Sequence, residues 1–122
     1  MLLDEIGSYL EQKGIGEVGE DVFFAQIPEN PDNLIAIFET GGYEPELLFD
    51  KAIEYPTFQI WVRGLDYEVT RNRVQSIFEL LHGNTEIYPL IEAMQSPTCL
   101  GLDENNRWEF SVNFKITKLL EE

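Results

Sequence analysis

From Arg107 to Thr117 polar and apolar residues alternate without a break. Trp108, Phe110, Val112, Phe114 and Ile116 share one face; Arg107, Glu109, Ser111, Asn113, Lys115 and Thr117 share the other. Side chains of a β-strand point alternately to its two sides, so this run predicts a strand with one buried face. Eleven residues at about 3.4 Å each would reach roughly 37 Å, about twice the usual strand. A strand of that length can cross the whole sheet of a small domain. Its polar face is uncharged or mixed at most positions, which suits a surface that meets another protein.

A chain of 122 residues is the size of one domain and can bury a core without disulfides. Cys99 is the single cysteine, which fits a reducing compartment. The start, Met-Leu-Leu-Asp-Glu-Ile, does not read as a signal peptide. No apolar stretch approaches the length of a membrane span. These readings imply a soluble protein made in the cytoplasm.

Charge narrows the function further. The 23 acids and 8 bases give a net charge of −15, and residues 1–50 hold 12 of the acids against one base, Lys13. DNA affinity comes mainly from Lys and Arg displacing counterions, so direct phosphate binding is disfavoured. The excess could simply keep the protein dispersed. It could also meet a basic protein, or form a surface that DNA passes without sticking. Glu17, Glu20, Asp21, Glu29 and Asp32 are the candidate residues for either role.

Along the chain, Leu2, Leu3, Ile6, Tyr9 and Leu10 recur at helical spacing and predict a helix over residues 2–13, ended by Gly14 and Gly16. Residues 22–27 read as a strand, Pro28 to Asn33 as a turn, and Leu34 to Glu39 as a second strand antiparallel to the first. Residues 40–56 read as a long loop, with a short helix possible at Pro45–Phe49. Loops of that length are usually functional. Gly41, Gly42, Tyr43, Leu47, Leu48 and Phe49 then become candidates for gripping a neighbour, the alternative being a loop folded over one end of the core. Thr57–Arg63 alternates as a strand. Asp66 is placed to cap a helix reaching His82, with Tyr67, Thr70, Val74, Ile77, Phe78 and Leu81 as its buried stripe. Arg71 and Arg73 lie off that stripe, on a solvated face or paired with the acidic half. Strands at Glu86–Met94 and Thr98–Leu102 follow, with a bulge expected near Gly101, and a turn at Asp103–Asn106 leads into the long strand. The order α-β-β-β-α-β-β-β implies one α+β domain over 1–122, a mostly antiparallel sheet with two helices on one face.

Chemistry is poorly represented. His82 is the only histidine and sits where a helix end leaves free carbonyls. Cys99 has no local His or Lys to activate it and reads as a small packed hydrophobe. Asp103, Glu104 and Asn105 fit a turn better than a calcium loop, and no nucleotide-binding signature is present. No enzyme, cofactor or metal is expected.

The passages Phe38-Glu39-Thr40-Gly41-Gly42 and Tyr55 to Gly64, the helix with Tyr67 and Asn72, and the closing run Asn106 to Phe114 together resemble the tail-terminator proteins of long-tailed bacteriophages, often labelled phage minor capsid proteins. The resemblance covers most of residues 35–116. It implies a structural protein of the head-tail neck that assembles as a ring, commonly a hexamer. Such a ring caps the tail tube, halts polymerisation and presents a surface to a head-completion or connector protein, while DNA passes through. Its partners would be itself, the tail tube protein and the connector, with no membrane, in a virion assembled in the bacterial cytoplasm. The residues after Gly41-Gly42 carry over as a contact with the tube or a neighbouring subunit. Two other readings stay open. One is an acidic inhibitor or immunity protein that binds a basic partner through residues 1–50. The other is a different neck-completion protein.

Overall fold

A computed structural model describes residues 2–49 and 51–120. Its elements are α1 (Leu2–Gln12), β1 (Val22–Phe24), β2 (Leu34–Leu47), β3 (Ala52–Gly64), α2 (Tyr67–Leu81), β4 (Leu90–Ala93), β5 (Thr98–Leu102) and β6 (Trp108–Leu120). The order is the expected one, and a single mostly antiparallel sheet runs β1-β2-β3-β6-β4, with β5 also paired to β6. The alternating run forms β6, which is longer still than its pattern suggests. It spans the sheet, pairing with β3 along one edge and with β5 and then β4 along the other.

The apolar face of β6 becomes the core. Phe110, Val112, Phe114 and Ile116 lie beside Phe58, Ile60 and Val62 of β3 and Ile35 and Ile37 of β2. Both helices cover this face: Ile6 and Leu10 of α1 and Val74, Ile77 and Leu81 of α2 join the same cluster. Phe58 and Phe114 are register partners and stack with ring centroids 5.1 Å apart. Burying a ring of that size contributes about 2–3 kcal/mol, so this central pair is a principal anchor of the sheet. Helix α2 starts as its sequence dictates: the Val69 backbone N–H donates to Asp66 Oδ1 at 2.9 Å. Thr70 then packs into Gly64, where a Cβ would collide with Thr70 Oγ1.

Several expectations are corrected. β1 and β2 are parallel, Val22 pairing with Ile35 and Phe24 with Ile37. The strand β1 stops at Phe24 because Ala25 takes a positive φ of 58°. The chain then returns over the helix-free face and enters β2 beside the start of β1. A three-residue strand needs only this short return, so no crossover helix is required. Under that return lies a second, small apolar cluster of Leu34, Ala36 and Trp61 with Phe23 and Phe38, which is why Trp61 is buried on a face read as polar.

Residues 40–56 are not a free loop, and no helix forms at Pro45–Phe49. β2 and β3 continue as one long hairpin, pairing as far as Leu47 with Ala52. Glycines and prolines read as strand breakers, yet this ribbon stands beyond the core. There irregular pairing is tolerated, and register shifts occur at Glu39/Gly42 and Tyr43/Glu46. β4 begins only at Leu90, after Pro89, which has no N–H to give to a ladder. Gly101 does mark a bulge, with a register shift between Cys99 and Gly101. Cys99 itself is exposed on that edge strand, because β5 is the outermost element there and nothing packs over it. Tyr67 is also more exposed than a stripe residue, lying edge-on against Trp108 at 4.9 Å.

Candidate functional site

The hairpin beyond the core is the most distinctive surface. Every β2 residue from Glu39 to Leu47 is exposed. Gly42 is required where the two strands draw together, since a Cβ there would stand 2.5 Å from the Tyr55 carbonyl oxygen. The Thr40 and Thr57 hydroxyls share a hydrogen bond of 2.7 Å at its base. Tyr43 pairs with Tyr55 across the ribbon, and the Lys115 ammonium lies 6.0 and 5.9 Å from the two ring centres. The Tyr55 hydroxyl donates to Glu46 Oε1 at 2.6 Å, a bond that holds the phenol proton and raises its pKa. Tyr43, Glu44, Glu46, Tyr55 and Lys115 thereby frame an open depression of about 490 Å³. At the tip, Leu47 is 89% and Phe49 106% exposed, with Leu48 and Leu119 partly so. The six candidate residues, Gly41 to Tyr43 and Leu47 to Phe49, therefore belong to one arm, with the glycines at its bend and the apolar residues at its end.

The acidic candidates are divided. Glu17, Glu20, Asp21 and Asp32 line one open depression of about 650 Å³ with Gly14, Gly16 and Leu65. Glu29 is not part of it. Within that group Asp21 is committed to structure: it accepts the Glu17 N–H at 2.7 Å and pairs with Arg73 at 2.8 Å. Arg73 is thus paired with the acidic half of the chain, while Arg71 donates to Gln75.

Two arginines that polar-face alternation placed toward solvent are buried instead. Arg63 and Arg107 are 3% and 4% exposed. Arg63 donates to the carbonyl oxygens of Pro28 (2.9 Å), Glu29 (3.1 Å), Pro31 (2.7 Å) and Asp32 (3.1 Å). Arg107 donates to the Glu29 carbonyl at 2.8 Å and pairs with Asp103 at 2.8 Å and with Glu29 and Asp32 at 3.4 Å. Together they clamp the 28–33 turn onto the helix-free face of the sheet. Both flank strand ends, Arg63 next to the end of β3 and Arg107 immediately before β6, and the 28–33 turn that they hold carries two prolines and two carboxylates. Asp103 is the hub of the second turn, accepting the Asn105 and Arg107 backbone N–H groups at 2.8 and 2.9 Å. Burial pushes its carboxyl up, but those bonds and the Arg107 guanidinium outweigh it and hold the pKa below the ordinary value.

The His82 side chain works locally, and its imidazole does not act on free carbonyls. Its Nδ1 accepts the Ala93 N–H at 2.9 Å and its ring stacks on Phe78. Its backbone N–H caps the helix at the Phe78 oxygen. Among the described residues no group of three His, Cys, Asp or Glu side chains is arranged to hold a metal ion, and no helix is long and apolar enough to cross a membrane.

Comparison with curated proteins gives no match. A family model described as bacteriophage tail terminator protein matches residues 9–120, nearly the whole chain. The matched span includes the acidic depression, the two arginine clamps and the projecting hairpin. The chain therefore belongs to the bacteriophage tail terminator protein family, and its role is that of a structural component of the phage tail.

Proposed function

We propose that this chain caps a finished phage tail tube as a ring of identical subunits, commonly six in this family, without catalysis. The ring stops tube polymerisation and offers its other side to a head-completion or connector protein. The observation that carries the reading is the hairpin arm. In a chain of this family, a ribbon that leaves the core and ends in exposed Leu47 and Phe49 is built to be covered by another protein. Isolated exposed apolar residues are ordinary, but several gathered at the tip of one projecting element mark a contact site.

Charge supports passage of DNA through the ring. Two of the chain's 8 bases, Arg63 and Arg107, are buried, which leaves the surface more acidic than composition alone implies. Six copies carry a formal −90, six times the −15 of one chain. A channel lined by part of that charge repels phosphate and gives passing DNA no foothold. The protein would then act in the virion neck, after assembly in the host cytoplasm.

Light scattering coupled to size-exclusion chromatography, with negative-stain imaging, tests the reading. Rings are expected either alone or on purified tail tubes, with tubes of fixed length in their presence. A chain that stays monomeric at high concentration and leaves the tubes bare overturns it. A one-to-one complex with a basic protein, without rings, would favour the inhibitor reading instead.

A further inference from the structure

From the middle of β6 to the end opposite the arm, the sheet carries a surface that the tail-end reading does not use. Residues 93–102, Ala-Met-Gln-Ser-Pro-Thr-Cys-Leu-Gly-Leu, contain no charge, in a chain where a quarter of all residues are charged. The segment is not hidden: Met94, Leu100 and Leu102 are about half exposed, and Cys99 is exposed beside them. β5 pairs with β6 along one side only, so its outer edge is free. Leu102 and Cys99 lie opposite Trp108 and Phe110 in register, which extends the apolar strip toward Tyr67.

From these observations we infer that the β5 edge receives the hairpin tip, Leu47 to Phe49, of a second copy of this chain. The inference rests on the ring reading and names its joint. Geometry excludes the contact within one molecule. Leu102 pairs with Trp108 at the start of β6, whereas Ala52, at the base of the tip, pairs with Leu120 at its end. Twelve residues of strand at about 3.4 Å put Leu102 about 40 Å from the tip, and Cys99, opposite Phe110, stands about 34 Å from it. A plug at one end and a receptor at the other make a head-to-tail contact, which closes into a ring when the rotation permits. Charge selects the same pair of surfaces. Two copies at −15 each repel wherever carboxylates face each other, and the uncharged 93–102 ribbon is a place where a copy can approach without that penalty. Pro45 and the irregular Gly41–Gly42 bend blunt the outer edge of β2. The arm therefore joins by seating its apolar tip, and not by extending the ladder of β2.

The native Cys99 is a ready probe. Leu48→Cys places a second thiol on the tip, and a short bismaleimide should link position 48 of one copy to Cys99 of the next. The expected product is a ladder of covalent multimers up to the full ring, reduced to dimers at most when Cys99→Ser is added. Single charge substitutions give an independent readout: Phe49→Asp and Leu100→Asp should each abolish rings while circular dichroism stays unchanged. Mixing the two variants should restore one joint and give a dimer, because each supplies the half that the other lacks. Rings in light scattering together with no Cys99-dependent ladder, or with no dimer on mixing, overturn the joint and leave the ring reading standing. If rings form only on tail tubes, the same ladder is expected there, and cross-links from Cys99 to tube protein overturn the joint. Absence of any self-association, with or without tubes, overturns both.

Discussion

Replacing Arg63 by Met should be the most destabilising change on the helix-free face. The guanidinium is buried and serves four carbonyl oxygens of one turn, between 2.7 and 3.1 Å. Three N–H groups, one on Nε and two on Nη2, serve these oxygens, and at the low end of about 1.5 kcal/mol each for a charged donor they contribute about 4.5 kcal/mol. Met fills the space but donates nothing, which strands the four acceptors. Asp32 and Glu29 lie at the exposed side of the turn, so part of it can open to water and recover some of that loss. A net cost of about 3 kcal/mol is expected, equivalent to a fall in Tm of about 12 °C for a domain of this size. Urea unfolding followed by far-UV circular dichroism measures it, with an unchanged slope showing that the same surface is exposed. Arg63→Lys keeps the charge but loses the planar fork, and should fall between Met and wild type. A loss below about 1 kcal/mol for Arg63→Met would refute the reasoning, because it would mean that the turn holds its place without the clamp.

Three further outcomes follow from particular contacts. Gly64→Ala drives a Cβ into Thr70 Oγ1, and should cost about 2 kcal/mol in chemical denaturation as α2 is pushed from the sheet. Asp66→Ala removes the acceptor of the Val69 N–H and should cost about 1 kcal/mol, with the first turn of α2 losing amide-exchange protection before the rest. Asp103 has a folded pKa below its ordinary value, so its stabilising contribution is complete above the unfolded carboxylate pKa of about 4 and is lost as pH falls through the lower folded value. Asp103→Asn should therefore lower the melting temperature at pH 7 but flatten its decline below about pH 4, as read by thermal scans across pH.

The sheet was legible where one face is buried and the other wet. The β6 pattern, the helix stripes of α1 and α2, the Asp66 cap and the Gly101 bulge could all be read because each depends on local spacing. The reading failed where a tertiary contact decides. The pairing of β1 with β2 turns on Ala25 leaving the sheet and on two distant arginines holding the return path, and no window around residues 22–39 contains that information. Residues 40–56 read as unusual and as a contact site candidate, but their glycines and prolines conceal a ribbon whose pairing partners include Leu119 and Lys118, more than sixty residues away. Alternation also cannot tell solvent from a covering turn, so by pattern alone Arg63, Trp61 and Arg107 point outward.

The same covering turn shows how so acidic a chain can be both a stable fold and a subunit. Asp21, Glu29, Asp32 and Asp103 are answered by Arg73 and Arg107 within the molecule, so with Arg63 three of the eight basic residues are spent on holding turns in place. The carboxylates left over, Glu17 and Glu20 among them, stand on the exposed surface around the acidic depression. Charge repulsion between copies then acts over most of the exterior, while the tip of the arm and the 93–102 ribbon remain apolar or neutral. In the proposed ring, repulsion everywhere else would make those two patches selective. A contact that must overcome net charge can hold only where apolar surface is removed from water and no carboxylate is trapped, so in the proposed ring misaligned pairings would be discouraged by the same acids that would keep a polyanion from adhering.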